Sequence, residues 1–214
     1  MRIIAGSAGG VPLRVPSHDV RPTMDMVREA AFSALGELIV DARVLDLFAG
    51  SGAYGIEALS RGAAEAVFVD NHLKSIETIR LNLSKTKLSG TVIRQDVFRF
   101  LRDHGEAFHI VFADPPYAKE TGARDYVGEL LSNERLPALV QPGGLFVLES
   151  VATAKIQPST YWKVTRAKRY GTTELLFLYP ELRLPRKNHP LGEAIRQPPG
   201  SRQTGSPGTW GGSA

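Results

Sequence analysis

Residues 111–117 read Val-Phe-Ala-Asp-Pro-Pro-Tyr, an apolar run that ends on a carboxylate, two prolines and an aromatic ring. Consecutive prolines fix the backbone and remove two amide donors, which leaves the carbonyls around Asp114, Pro115 and Pro116 as rigid acceptors. Such a site is suited to an amine. The exocyclic amine of a nucleic-acid base is a poor nucleophile because its lone pair is delocalised into the ring. If the Asp114 carboxylate and the Pro115 carbonyl accept its two hydrogens, the nitrogen can pyramidalise and attack a methyl donor. Tyr117 offers a flat face for a base that has been unstacked or flipped out. Taken alone, the tetrapeptide is equally readable as a strand-ending turn. Its position downstream of a glycine loop favours the chemical reading.

That loop is Val44-Leu45-Asp46-Leu47-Phe48-Ala49-Gly50-Ser51-Gly52-Ala53-Tyr54-Gly55, a glycine turn between an apolar strand and a helix. Glycine reaches backbone angles closed to other residues and lets a ligand approach the main chain. Gly50, Gly52 and Gly55 satisfy G-x-G-x-x-G, and Asp70 stands 18 residues after Gly52, where a dinucleotide site keeps its ribose-binding acid. On spacing alone, a nicotinamide enzyme or a non-catalytic nucleotide-binding protein stays open. Asp46 argues otherwise: a carboxylate beside the loop suits a ligand carrying an ammonium and a sulfonium better than a pyrophosphate. Asp96, after the third strand, can accept from an adenine amine with Val97 alongside the ring. The cofactor expected is S-adenosylmethionine. Asp70 and Asp96 are equally readable as caps of the helices that follow them.

The elements that must hold these residues follow from periodicity. Strands are expected at Val44–Phe48, Ala66–Asp70, Thr91–Gln95, His109–Ala113 and Gly144–Glu149, separated by helical segments to Arg61, through Leu88 and from Val97. Strands alternating with helices imply parallel pairing with both sheet faces covered. The final pair, Trp162–Tyr170 and Thr173–Tyr179, is joined by Gly171-Thr172 alone and must be antiparallel. The fold class expected is α/β, a Rossmann-like, mostly parallel seven-stranded sheet with an antiparallel C-terminal hairpin. Ahead of it, residues 2–15 read as a hairpin around Gly9-Gly10, with Pro12 confining its second strand to an edge. Thr23 is placed to cap a helix carrying Val27, Ala31, Leu35 and Leu38 on its apolar side and Asp25, Arg28 and Glu29 on a polar face.

Three segments result: 1–22 as a hairpin extension and candidate RNA contact, 23–180 as the catalytic domain, and 181–214 as a tail expected to be disordered. The tail is poor in large apolar residues and rich in Gly, Pro and Ser, too little to offset its ordering entropy. A chain of 214 residues with 43% hydrophobic content closes one core. Residues 1–180 carry 21 Lys and Arg against 20 Asp and Glu, so bulk charge says little about a partner. The absence of cysteine excludes disulfides and thiolate metal sites, and removes the usual nucleophile for methylating a pyrimidine ring carbon. His18, His72, His104, His109 and His189 have no ligand spacing, and no metal is expected. No run approaches the ~18 apolar residues of a membrane helix, and Met1–Gly6 is too short for a signal peptide; a cytoplasmic monomer is expected.

Several motifs in one order resemble a known family. Arg2-Ile3-Ile4-Ala5-Gly6, then Arg21-Pro22-Thr23-Met24-Asp25-Met26-Val27-Arg28-Glu29-Ala30, Leu45-Asp46-Leu47-Phe48-Ala49-Gly50-Ser51-Gly52, Glu57–Ala63 and Asp114–Tyr117 are similar to the RsmD family over about residues 1–180. The resemblance implies methylation of a guanine N2 in bacterial 16S ribosomal RNA, guanine 966 in standard 16S numbering, with 16S RNA or a 30S assembly intermediate as partner. Carried over by position, Asp46, Gly50 and Gly52 would line the methionine end, with Phe48 and Ser51 in the same loop. Asp70 would take the ribose, with Asn71 beside it, Asp96 and Val97 the adenine, and Asp114, Pro115, Pro116 and Tyr117 the target base. Arg2, Arg14, Arg21, Thr23 and Arg28 would face RNA or organise the site, although Arg21 and Arg28 equally suit ion pairs at a helix start. Ala5 stands where relatives often have glycine, Ser7–Gly10 lacks their basic residues, and the Gly/Pro tail is no family feature. The tetrapeptide itself serves DNA adenine N6 or cytosine N4 equally well.

Overall fold

The two prolines of the tetrapeptide end a strand at the centre of one seven-stranded sheet. The computed structural model of the chain describes residues 1–15, 23–116, 124–152 and 160–181. Its strands are β1 (Arg43–Leu47), β2 (Glu65–Asp70), β3 (Thr91–Arg94), β4 (Phe108–Ala113), β5 (Val140–Val151), β6 (Trp162–Tyr170) and β7 (Thr173–Pro180). They lie in the order β3-β2-β1-β4-β5-β7-β6. Pairing is parallel from β3 through β5 and antiparallel for β5–β7 and β7–β6, as the two-residue link requires. The chain reverses direction across the sheet between β1 and β4. Their carboxyl ends thus form the switch point where ligands bind in open α/β sheets.

Helices α1 (Thr23–Leu35), α2 (Ala53–Ser60), α3 (Leu73–Thr86), α4 (Val97–Asp103) and α5 (Tyr126–Ser132) complete the layers. Alternation along each strand divides the core in two. On one face Val44, Phe68, Ile110, Phe112 and Val147 pack with Phe32 of α1 and Ile56 of α2. On the other, Leu45, Leu47, Val111 and Phe146 pack with Phe100 of α4 and Leu130 of α5. Burial on both sides explains why β1 and β4 read as near-continuous apolar runs.

Three expectations are corrected. Helix α1 ends at Leu35 because Gly36 turns left-handed, so Leu38 lies in a 3-10 turn and is 55% exposed. Thr23 is the first residue of that helix rather than its cap. The N-terminal hairpin holds a single antiparallel bridge, Arg2 to Pro12, tied by Ile3 N–H to Val11 O and Leu13 N–H to Met1 O. Pro12 has no amide to extend it. The tail was expected over 181–214; Glu181 is described, its N–H donating to the Tyr161 carbonyl, and residues 182–214 lie outside the described residues, as do Arg21 and Tyr117. No helix among the described residues is long and apolar enough to cross a membrane. Among them no group of His, Asp or Glu is arranged to hold a metal ion.

Candidate active site

The glycine loop after β1 is held open by carboxylates from its own sheet. Gly50 and Gly52 take φ of +53° and +77°, conformations that cost a side chain dearly, and Phe48 is itself left-handed at +55°. Asp70 closes β2 and turns back: its Oδ2 accepts from Gly50 N–H at 2.9 Å and its Oδ1 from His72 N–H at 2.8 Å. Asp46, 3% exposed, accepts from Gly55 N–H through Oδ2 at 2.9 Å. Gly55 itself is required by packing, since a Cβ there would sit 2.3 Å from the Phe68 ring. It seats α2 on β2, the third glycine's role in such loops.

Burial pushes the Asp46 carboxyl up to about 8; the bond from Gly55 opposes this and the nearby Asp70 charge adds to it. A carboxyl so placed ionises when a cation arrives, and a ligand with an ammonium and a sulfonium supplies one. The left-handed glycines, the exposed main chain of the loop and this carboxyl together fit S-adenosylmethionine. A pyrophosphate brings no cation to pair with that carboxyl. The sheet order points the same way, because dinucleotide folds run 3-2-1-4-5-6 and place no antiparallel strand between the last two.

At the next strand end Asp96 caps α4, its Oδ1 accepting from Arg99 N–H at 3.0 Å, and Val97 is buried. The capping expectation therefore holds for Asp96, while Asn71 follows Asp70 in the exposed turn before α3. An aromatic group lies alongside: Phe48 stands edge-on to Tyr126 at 5.4 Å and to Phe98 at 6.3 Å. The Arg124 guanidinium lies 4.7 Å from the Phe98 centroid and 4.8 Å from that of Tyr126, locked there by two bonds to Glu129. Phe48 was a candidate from the glycine motif, but no sequence spacing joins it to Phe98, Arg124 and Tyr126, which the motif reading missed.

Asp114 and buried Pro115 leave β4 beside this loop, with Pro116 exposed. Leu47 and Ala113 are register partners, so the two motifs begin on neighbouring strands at the same rim. Behind Asp114 lies a pair that sequence reasoning also missed. The Tyr54 hydroxyl of α2 donates to Glu149 of β5. The Tyr54 ring stacks on Phe112 at 4.8 Å. Burial raises the Tyr54 hydroxyl well above its ordinary pKa, the Glu149 charge raises it further, and the Asp114 charge contributes. Tyr54 is thus a neutral donor wedged between two acids. Its place directly before Gly55 in the glycine motif was the only available signal.

The N-terminal residues are organised from below. Arg28 is 2% exposed, which overturns its place on a polar face. It pairs with Asp25 at 2.9 Å and with Glu57 at 3.7 Å and donates to the Arg2 carbonyl. The helix-start ion-pair reading is the one realised. Glu57 accepts from Ile4 and Ala5 N–H, and Ser60 Oγ accepts from Ala8 N–H. Asn82, fully buried, accepts from Arg14 N–H and donates to the carbonyls of Arg14 and Ser51. One amide therefore joins the hairpin to the glycine loop. The side chains of Arg2 and Arg14 are exposed.

A glycine loop and an Asp-Pro-Pro segment at the switch point of a 3-2-1-4-5-7-6 sheet are the frame of the class I S-adenosylmethionine-dependent methyltransferases. Residues 1–179 match the family described as "Conserved hypothetical protein 95". The chain belongs to that family, the RsmD family. The Escherichia coli (strain K12) protein named ribosomal RNA small subunit methyltransferase D is 43% identical over 121 residues, which cover 56% of this chain and 61% of that protein. Its Haemophilus influenzae namesake is 33% identical over 177 residues, 80% of this chain and 89% of its own length. A solved structure named "Putative methyltransferase yhhF from Escherichia coli" superposes with a TM-score of 0.72 at 34% identity, covering 85% of this chain and 98% of that one.

Proposed function

We propose that this methyltransferase transfers the methyl group of S-adenosylmethionine to the N2 amine of a guanine in 16S ribosomal RNA, guanine 966 in standard numbering, within a small-subunit assembly intermediate in the cytoplasm. The observation that carries the reading is the shared rim: Asp114 and Pro115 leave β4 immediately beside the loop that leaves β1. The names of the relatives at 33% and 43% identity support ribosomal RNA as the substrate.

The chain's own residues supply position rather than covalent chemistry. S-adenosylmethionine, when bound, supplies a methyl group made electrophilic by the attached sulfonium. Asp46 and the loop amides would hold its methionine end, Asp70 and Asn71 the ribose, and Asp96 and Val97 the adenine. Asp114 and the Pro115 carbonyl take the two hydrogens of the amine and turn its lone pair toward the methyl carbon. Tyr117 stacks the flipped base. The bound cofactor would supply a methyl group by direct displacement at its sulfonium, and the surplus proton would leave the amine nitrogen for Asp114 or water.

Labelled S-adenosylmethionine incubated with 30S particles, free 16S RNA and DNA tests the reading. Label in N2-methylguanine of the particle supports it. Label in N6-methyladenine or N4-methylcytosine of DNA, or none in RNA, overturns it.

A further inference from the structure

Strand β6 forms one edge of the sheet, and within Trp162–Tyr170 it carries Lys163, Arg166, Lys168 and Arg169 with no acid. Outside this strand residues 1–180 carry 17 Lys and Arg against 20 Asp and Glu, so the strand is a strong local concentration. The strand does not alternate simply. A register shift between Val164 and Arg166 opposes Lys163 to Tyr179, Val164 to Leu178, Arg166 to Phe177 and Lys168 to Leu175. Thr165 is the extra residue, its Oγ1 donating to the Phe177 carbonyl. One inserted residue reverses the parity of every side chain before it. Lys163, Arg166 and Lys168 therefore lie on a single face, whereas regular alternation would put Lys163 on the opposite one.

The face is the one covered by α1, α2 and the N-terminal hairpin, because Leu175, Phe177, Tyr170 and Tyr179 all belong to that side of the core. The row through Lys168 and Leu175 continues to Glu149. Asp114 is one residue past the row Ala113–Leu148–Leu176–Ala167. Lys168 thus stands level with Asp114, three strand spacings away, or about 14 Å. That distance equals roughly four stacked nucleotides. None of the three cations is ion-paired among the described residues, and Lys163 and Arg166 are exposed.

The geometry points to this bulged, basic edge strand as a second RNA contact, one that holds the phosphate backbone flanking the target nucleotide. The inference rests on the substrate reading above and adds where the RNA chain runs. Cations on an edge strand also deter pairing with other chains. That role is indifferent to sign, however, because carboxylates block an edge equally well. A phosphate track is not indifferent.

The test compares three variants with the parent protein: Lys163→Gln/Arg166→Gln/Lys168→Gln, the same three positions changed to Glu, and Lys74→Gln/Arg80→Gln on exposed α3 as a control. Binding to 30S particles and free 16S RNA is measured across a fourfold rise in salt, with calorimetric S-adenosylhomocysteine binding as the check on folding. Three phosphate contacts carry a salt slope of about 2, so the Gln variant should lose roughly twentyfold less affinity over that range than the parent. KM for RNA should rise while kcat and cofactor binding stay unchanged, and the Glu variant should be weaker still. Parent-like affinity and slope in the Gln variant, equal behaviour of the Gln and Glu variants, or an equal loss in the α3 control each overturn the inference. A parent protein that methylates no RNA overturns the substrate reading instead.

Discussion

The loop after β1 and the tetrapeptide after β4 share a rim but are built in opposite ways. The glycine loop is held by side chains binding its main chain: Asp70 to Gly50, Asp46 to Gly55 and Asn82 to Ser51. The tetrapeptide is stiffened covalently by its prolines, and its surroundings come from other elements, Tyr54 of α2 and Glu149 of β5. A loop that must present amides needs braces, because glycine gives freedom without direction. A segment that must present carbonyls needs none, because proline has already fixed the angle. Damage to the first should therefore appear in stability and cofactor binding, and damage to the second in rate.

The sharpest division comes from Asp114→Ala. Methyl transfer should fall about a thousandfold or more, roughly 4 kcal/mol of transition-state stabilisation, with S-adenosylhomocysteine affinity changed less than about threefold. Near-normal single-turnover transfer would end the role assigned to this carboxylate. Asn82→Ala attacks the opposite region. It strands the buried Ser51 carbonyl and the part-buried amide and carbonyl of Arg14, and should cost about 2–4 kcal/mol in denaturant unfolding. A loss below 1 kcal/mol would show that water replaces the brace.

Asp46 gives a smaller, pH-dependent effect. Its folded-state pKa, raised to about 8 by burial, lies above the unfolded carboxyl value, so the folded protein holds the extra proton. The stability of the ligand-free protein should therefore fall as pH rises from about 4 toward 8, and Asp46→Asn should flatten that fall. A cationic ligand expels the proton, so S-adenosylmethionine affinity should tighten by up to tenfold per pH unit and level off near pH 8. Calorimetry in two buffers of different ionisation heat measures the released proton, and a pH-independent affinity would refute the pairing. Smallest is Asp96→Ala. Loss of the cap alone costs about 1 kcal/mol of stability. A further drop in cofactor affinity beyond tenfold would add the adenine contact to the capping role.

How much could be read without coordinates follows from which interactions are local. The strands, their parallel order and the terminal hairpin were legible because buried strands carry continuous apolar runs and a two-residue link permits only one direction. The left-handed turn at Gly50 and Gly52 and the end of β4 at Asp114-Pro115-Pro116 were legible because glycine and proline act on their own backbone. Arg28 was misplaced because a cation on a helix reads as solvated unless its partners are known, and Glu57 and the Arg2 carbonyl come from separate elements. Glu149, Asn82, Phe98 and Tyr126 gave no signal, and Tyr54 only its place in the glycine motif, because each acts across 20 or more positions of chain.

By itself, then, the sequence determined the strands, their parallel pairing and the residue types that end them. Tertiary structure alone decided that Asp46 is buried enough to be protonated, that one amide ties the hairpin to the glycine loop, and that a bulge gathers three cations of β6 on one face. The physical reason is that backbone propensity is a property of neighbours along the chain, whereas desolvation, charge pairing and register depend on what the fold brings alongside.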